Sequence, residues 1–218
     1  YDRWWEGRKL WGDLTNSMRS FAVHVHATLP ATCVEERKTL ASLMQLFTYA
    51  LQAHLKGERI DADFYTRECA IPSMVEYQNR VDSAAHQPLE IFRSIMEYMH
   101  RMGVDGKLKG MSIYHFKTEL NKFMDVCGAC ERIKNTPIPF SYSVFLKKFI
   151  FFYVMTLPFG YSFSLGYYTA PVVVFIFYVL ASLELIAEEI EDPFGGDQND
   201  VPTHSLAQNI HRHIAEII

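Results

Sequence analysis

No Lys, Arg, Asp or Glu occurs in residues 149–183, which read FIFFYVMTLPFGYSFSLGYYTAPVVVFIFYVLASL. One transmembrane helix needs about 20 consecutive, mainly apolar residues, so the region has room for two short spans. We predict that residues 140–191 form a helical hairpin in a membrane. The alternative is a buried hairpin in the core of a soluble domain, because apolar runs of about 10–14 residues often have that role.

Two spans can be delimited within this region. The first, Val144–Leu157, is expected to end at Pro158 and Gly160, since proline and glycine interrupt helices. The second, Tyr168–Ile186, is nearly long enough to cross a bilayer. The linker between them is rich in Tyr and Phe, which favour the interface between lipid and water.

Charged residues flank the apolar region on both sides. The basic residues precede the first span, and by the positive-inside rule they place that side in the cytoplasm. Six carboxylates lie in the 13 residues 188–200, EEIEDPFGGDQND, which a hairpin returns to the same side. The basic residues are Arg132, Lys134, Lys147 and Lys148, and the acidic residues Glu184, Glu188 and Glu191 recur on one helical face.

Composition limits the classes of function. A chain of 218 residues is long enough for one large domain or for a smaller domain with a membrane part. A net charge of −4 gives no electrostatic basis for binding nucleic acid. Four cysteines are too few for a disulfide scaffold, so a reducing compartment is expected. The opening YDRWWEGRKLW is typical of a helix interior, so we expect a fragment that lacks its own N-terminus.

The remainder of the chain shows helical periodicity and no sustained alternation of apolar and polar residues, so an all-α fold is predicted. Thr32 and Glu35 form a capping-box pattern at the start of one helix, and Gly57 is expected to end it. Pro137 and Pro139 are expected to end another. The predicted helices are 1–26, 32–56, 61–69, 73–85, 88–103 and 112–134.

Two histidine pairs and one cysteine pair could bind metal. Cys127 and Cys130 form a CxxC within a predicted helix, where Gly128 and Ala129 favour close helix packing over a metal or redox site. The pairs His24/His26 and His211/His213 lie two residues apart, which on a helix points their side chains away from each other. The sequence carries no catalytic motif of the common kinds, so no enzyme is predicted.

The N-terminal tryptophans are too large and too closely spaced for a fully solvated face. We expect Trp4, Trp5 and Trp11 to pack against neighbouring helices near the cytosolic surface of the membrane, and Arg3 and Glu6 to pair.

Four stretches in this order resemble the bestrophin channels, most closely the bacterial and related microbial members. They are YDRWWEGRKLWGDL at the start, CERIKNTPIPFSYSVFLKKF in the middle, LPFG at 157–160, and EEIEDPFGGDQNDVP near the end. The resemblance implies one all-helical domain over residues 1–218, with mainly cytosolic helices in 1–139, a membrane hairpin in 140–191, and an acidic loop with a cytosolic helix in 192–218. The pore neck of the family lies on the helix upstream of the RWW stretch, outside this sequence, as does the first membrane helix.

The family resemblance also implies a function. It predicts a homopentameric channel for small monovalent ions, with chloride as the expected ion, in a bacterial inner membrane with both termini cytoplasmic. Its partners are copies of itself, the lipid bilayer and inorganic ions. A channel for monovalent cations is an alternative within the family, and a soluble or peripheral helical interaction module is an alternative of another class.

The resemblance further implies that Ile138, at the position of the apolar residue before the proline of the family's IP pair, narrows the pore near its cytosolic exit. Pro137 and Pro139 hold it on an extended backbone, which suits projection of one side chain into a lumen. Five such side chains would form an apolar ring that gates by dewetting. The alternative is an ordinary packing residue.

The acidic loop resembles the calcium-binding loop of animal bestrophins. The matching positions are Asp192, Asp197 and Asp200, whereas Gly196, Gln198 and Asn199 replace three acids of the family pattern. Calcium affinity depends on the number of charged ligands, so we favour a structural turn over a calcium site. Within it, Asp197, Asn199 and Asp200 are expected to cap the following helix. No other cofactor is predicted.

Overall fold

A computed structural model describes residues 2–60, 75–197 and 199–218 of the chain. The described residues form helices and connecting turns, with no strand among them, so the all-α prediction is confirmed. The α-helices are α1 Asp2–Thr28, α2 Val34–Lys56, α3 Val75–Ser83, α4 Gln87–Val104, α5 Gly110–Asn135, α6 Phe140–Leu165, α7 Thr169–Glu191 and α8 Thr203–Ile217. A short 3₁₀ turn, Gly166–Tyr168, joins α6 to α7.

Helix α1 packs against α5 and α8 through one apolar face. Its buried residues recur every three or four positions, as a helix with one face on a core requires. Phe21 lies at the centre of this contact, with ring centroids 5.2 Å from Phe116 and 5.7 Å from Phe123. Such aromatic pairs stabilise a core beyond the area that they bury.

Helix α2 is the central helix of the part of the chain outside α6 and α7, because its residues 39–51 are all buried. Two of its buried polar side chains show how burial of polar groups is compensated by hydrogen bonds. Thr48 donates to the carbonyl oxygen of Met44 (3.1 Å), and Gln45 donates to the carbonyl oxygen of His211 on α8 (3.3 Å). Both bonds reduce the cost of burying these groups, and the Gln45 bond links α2 to α8.

Of the two predictions for the ends of α2, the one for the C-terminal end is confirmed and the one for the N-terminal end is wrong. Gly57 ends the helix in the left-handed conformation (φ 77°), as expected. The capping box of Thr32 and Glu35 is wrong, because the helix begins at Val34 and Cys33, without a side-chain cap, precedes it. A backbone turn from Cys33 N–H to the Pro30 carbonyl (3.0 Å) sets this start.

The shorter helices lie close to their predicted positions. Helix α3 covers the middle of the predicted 73–85 segment, and α4 and α5 extend the predicted 88–103 and 112–134 segments by one or two residues at their ends. The predicted helix 61–69 lies outside the described residues. His86 caps α4, because its Nδ1 accepts from the Leu89 N–H at 3.1 Å.

Helices α6 and α7 pack together as a hairpin. The predicted end of the first span at Pro158 and Gly160 is wrong, because α6 continues through both to Leu165. Proline removes one helical hydrogen bond, but unwinding an apolar segment would leave many backbone groups unpaired in lipid, so continuation is favoured. The predicted linker is therefore helical up to Leu165 and 3₁₀ at Gly166–Tyr168.

The hairpin is exposed along its length. The helical segment Phe140–Glu191 is long and apolar enough to cross a membrane. In its most apolar stretch of 18 residues, no residue is buried inside the chain. Large side chains such as Phe163, which is 98% exposed, project outward from it. A core hairpin of a soluble domain would be mostly buried, so this exposure weighs against that alternative.

Candidate functional site

The base of the hairpin places Ile138 in a short extended segment between α5 and α6. Helix α5 ends at Asn135 and α6 begins at Phe140, so the interruption predicted from the two prolines is confirmed. Pro139 has φ −52° and ψ 127°, an extended conformation. The Ile138 side chain is 38% exposed and stands outside the hydrophobic core.

Glu191 anchors this segment from the other end of the hairpin. Its Oε1 accepts a hydrogen bond from the Ile138 N–H at 2.7 Å. The sequence placed Glu191 on the same helical face as Glu184 and Glu188 but gave no sign of this contact, which joins residues 53 positions apart. Pro137 and Pro139 have no N–H, so the Ile138 N–H is the one backbone hydrogen-bond donor of residues 137–139. The carboxylate of Glu191 accepts its hydrogen bond.

Arg3 anchors the segment from α1. Its guanidinium donates to the carbonyl oxygen of Ile133 at 2.5 Å and also to that of Thr136. These are carbonyl groups at the C-terminal end of α5, which lack helical partners and favour a cation. The predicted pairing of Arg3 with Glu6 is therefore wrong, and Glu6 instead lies 3.3 Å from the guanidinium of Arg132.

A small cleft between α6 and α7 adjoins Ile138, and its charge is mainly acidic. Lys147 on α6 lies 3.1 Å from Glu188 and 3.3 Å from Glu184 on α7. Ile138 lines the same cleft as these two glutamates and Glu191. Three carboxylates therefore line the cleft beside the apolar side chain, and two of them pair with Lys147.

The acidic loop after α7 is stabilised by its own carboxylates. Asp200 Oδ2 accepts from the backbone N–H groups of Gly196 and Asp197, the latter at 2.7 Å. Asp192 Oδ1 accepts from the Phe194 N–H at 3.3 Å. The predicted capping of α8 is wrong, because α8 begins at Thr203 after Pro202 without a side-chain cap.

The loop docks on α1. Phe194 is 2% exposed and lies against Gly7, where a Cβ atom would stand 3.0 Å from the phenylalanine ring. The Trp4 Nε1–H donates to the carbonyl oxygen of Asn199 at 2.9 Å. Trp11 is fully buried, whereas Trp5 is 53% exposed, so the predicted packing of the tryptophans is confirmed for Trp4 and Trp11 only.

The loop does not gather its three matched acids around one point. Asp192, Asp197 and Asp200 are absent from the groups of three ligand side chains that the described residues bring within 4.8 Å. Asp200 Oδ1 is buried and accepts no hydrogen bond from the described residues. The described residues do gather one group, His54, His86 and Glu131. Sequence reasoning missed it because its members lie far apart in the chain.

The other candidate metal ligands are placed as packing or surface residues. Burial raises the pKa of both Cys127 and Cys130 to about 12, so they are protonated thiols at neutral pH. Gly128 is exposed and, apart from its chain neighbours in the helix, no atom of the described residues lies within 4 Å of the place that a Cβ would take, so it does not provide the close packing predicted.

The histidine pairs are likewise separated by their helices. His24 and His26 are exposed. His213 pairs with Arg19 (3.0 Å), whereas His211 faces Tyr49, with ring centroids 6.0 Å apart. Neither pair converges on one point.

The profile of bacterial and fungal bestrophin proteins matches residues 1–216. This chain belongs to the bacterial/fungal bestrophin family. Among curated relatives, a voltage-dependent anion channel-forming protein of Nostoc sp. is 33% identical over 220 residues, which cover 100% of this bestrophin and 70% of the relative. A protein of the same description from Ralstonia nicotianae is 31% identical over 222 residues, with 100% and 70% covered.

Solved structures agree with this membership. A bacterial bestrophin homologue from Klebsiella pneumoniae superposes with a TM-score of 0.90 at 28% identity, covering 100% of this bestrophin and 78% of that chain. Together with the exposed apolar hairpin, the channel-forming relatives identify a membrane protein of a channel family.

Proposed function

We propose that this bestrophin is the subunit of a homopentameric channel for small monovalent anions, chloride among them, and that Ile138 forms its cytosolic constriction. The names of the relatives from Nostoc and Ralstonia support the choice of anions. The placement of Ile138 supports the constriction, because the side chain is exposed while its backbone is fixed.

Three features fix that backbone. The flanking prolines restrict φ, Glu191 accepts from the Ile138 N–H, and Arg3 holds the adjoining carbonyl groups of Ile133 and Thr136. A residue whose role is to fill a core would be buried, whereas Ile138 has an exposed side chain on a fixed backbone. Five isoleucines on a symmetry axis would form an apolar collar where an ion loses hydration and gains no ligand.

Cation conduction is the second candidate, and the charge beside Ile138 favours it. Glu184, Glu188 and Glu191 line the cleft of Ile138, and Lys147 pairs with the first two of them. Rings of carboxylates select cations in other channels. A reversal potential measured in a KCl gradient decides between the two ions.

The proposed location is the bacterial inner membrane, with both termini in the cytoplasm. The basic residues at the base of the hairpin support this orientation, including Lys147, 49% exposed and paired with glutamates of α7. Protease protection of tagged full-length protein in sealed vesicles tests it, because a cytoplasmic terminus is cleaved only in inverted vesicles.

The decisive test of the constriction is Ile138→Ala in the full-length protein, reconstituted in planar bilayers. We expect a larger single-channel current and an unchanged melting temperature, because the side chain is outside the core. Ile133→Ala is the matched control: Ile133, five residues earlier in α5, is 5% exposed, and its truncation should cost about 2–5 kcal/mol of stability. A lower melting temperature with unchanged current in Ile138→Ala would refute the proposal.

For the acidic loop we propose a structural turn instead of a calcium site. Asp192 and Asp200 already accept backbone hydrogen bonds, and Asp197 does not join them around a common point. Millimolar calcium should therefore raise the melting temperature no more than equal magnesium does. A calcium-specific rise that disappears in Asp200→Asn would instead establish a calcium site.

A further inference from the structure

Three side chains from three separate parts of the chain meet at one point away from the hairpin. Glu131 Oε1 on α5 lies 2.7 Å from His54 Nε2, near the end of α2, and 2.7 Å from His86 Nε2, before α4. The two imidazole rings have centroids 4.5 Å apart. One ligand atom from each residue lies within 4.8 Å of the other two.

The three side chains are partly buried but remain open to solvent. Their exposed fractions are 32% for His54, 31% for His86 and 27% for Glu131. An ion can therefore enter from water, while the surrounding helices hold the ligands in place.

The backbones that carry the two histidines are tied together. The residue after His86, Gln87, is 4% exposed, and its side chain accepts from the Ile60 N–H (2.9 Å) and donates to the Ile60 carbonyl oxygen (3.2 Å). Lys134, on the same helix as Glu131, donates to the carbonyl oxygen of His54 at 3.1 Å. The site is thus preorganised by contacts that do not involve the three ligand atoms.

We propose that His54, His86 and Glu131 form a binding site for a divalent transition metal, with Zn²⁺ as the ion that the donor set fits best. Two imidazole nitrogens and one carboxylate oxygen, with water as a fourth ligand, are a recurrent zinc set. Calcium and magnesium prefer all-oxygen ligands, so the imidazoles exclude them.

The distances require only a small adjustment. Zinc–ligand bonds of about 2.0–2.2 Å in a tetrahedral arrangement separate the ligand atoms by roughly 3.3–3.5 Å. The two contacts of 2.7 Å must therefore open by less than about 1 Å. Side-chain torsions can supply such a movement without a change in the helices.

His86 has two roles that exclude each other. Its Nδ1 accepts from the Leu89 N–H, so the neutral ring carries its proton on Nε2 and donates it to Glu131. Zinc at Nε2 displaces that proton, and the neutral ring then carries its proton on Nδ1, where it can no longer accept from Leu89. When zinc binds, α4 therefore loses its N-terminal cap and the three segments gain a shared metal ion. The zinc concentration then decides which of the two arrangements is populated.

Variants of the two histidines test this site in the full-length protein. His86→Asn keeps a capping side chain for α4 but removes the ligand, and His54→Ala removes the other nitrogen. Both proteins, purified with a chelator and then dialysed, are titrated with ZnCl₂ against a chromophoric zinc indicator. The double variant His24→Ala/His26→Ala, which removes exposed histidines, is the matched control.

We expect one zinc per subunit in the wild type and in the control, with a zinc-dependent rise in melting temperature. Loss of a residue that only supports a metal ligand typically lowers metal affinity by about 10–100-fold. Because His54→Ala and His86→Asn remove ligands themselves, the zinc affinity of each should fall by at least that much. His86→Asn without zinc should keep a cooperative melting transition with at most a small fall in melting temperature, because it loses only the bond to Glu131, and this separates ligand loss from misfolding. Wild-type affinity in either variant, or zinc binding that is lost only in the control, would overturn the proposal.

Discussion

Removal of the Glu191 carboxylate should loosen Ile138 without unfolding the protein. The hydrogen bond from the Ile138 N–H is 2.7 Å long and has a charged acceptor. The site is partly exposed, so water can replace the carboxylate, and the loss should be about 1 kcal/mol. That free energy corresponds to roughly a fivefold higher population of the open segment. Glu191→Gln, which keeps an acceptor oxygen, should lose less than Glu191→Ala.

Amide hydrogen exchange measured by mass spectrometry reports this bond directly. Pro137 and Pro139 have no N–H, so Ile138 carries the one exchangeable backbone proton of residues 137–139. We expect its exchange to be about fivefold faster in Glu191→Ala than in wild type. Glu188→Ala, which removes a partner of Lys147 one turn away, is the control and should leave Ile138 unchanged. Equal exchange of Ile138 in wild type and Glu191→Ala would refute the role of Glu191.

Three further outcomes are expected. Phe194→Ala should lower stability by about 3–5 kcal/mol in thermal unfolding, because the ring is 2% exposed against α1; a change below about 1 kcal/mol would contradict that packing. Cys127 and Cys130 should resist an aromatic disulfide reagent at pH 8 until the protein is denatured, because burial raises the pKa of each to about 12; rapid labelling of either of these two residues in the native protein, located by mass spectrometry, would contradict this. The hydrogen bond from Arg80 lowers the pKa of Glu97 below its usual value, so the stability that this pair contributes is present above the unfolded pKa and is lost as pH falls through the folded pKa. Glu97→Gln should therefore be less stable than wild type at pH 7, by less than about 1 kcal/mol because the site is exposed, and equal to it well below pH 4; a difference that persists in acid would contradict the pairing.

Features that depend on neighbouring residues could be predicted from the sequence. Gly57 and the pair Pro137 and Pro139 end helices through their own backbone restrictions, so no distant contact is needed. The 3.6-residue periodicity of α1 likewise fixes its buried face. The prediction that the first span ends at Pro158 was wrong because the surroundings of a proline decide whether the helix continues. In an apolar hairpin the remaining helical hydrogen bonds outweigh the one that proline removes.

Features that depend on tertiary packing could not be predicted. Arg3 was expected to pair with its neighbour Glu6, but the end of α5 offers it carbonyl groups that are only brought near by folding. Glu191 reaches Ile138 because the hairpin closes, and Glu131 meets two histidines from distant segments. The sequence thus identified Ile138 and the loop acids as candidates, while their partners required the fold.

If Ile138 faces the ion pathway of an anion channel, a cysteine at this position should react with reagents that enter the pore. Ile138→Cys in the full-length channel is treated with a positively charged methanethiosulfonate reagent during current recording, and wild type serves as the control for native cysteines. Modification should change the single-channel current in discrete steps and shift the reversal potential further toward that of chloride, because a ring of positive charge attracts anions. Complete labelling, verified by mass spectrometry, with unchanged current and reversal potential would contradict the claim.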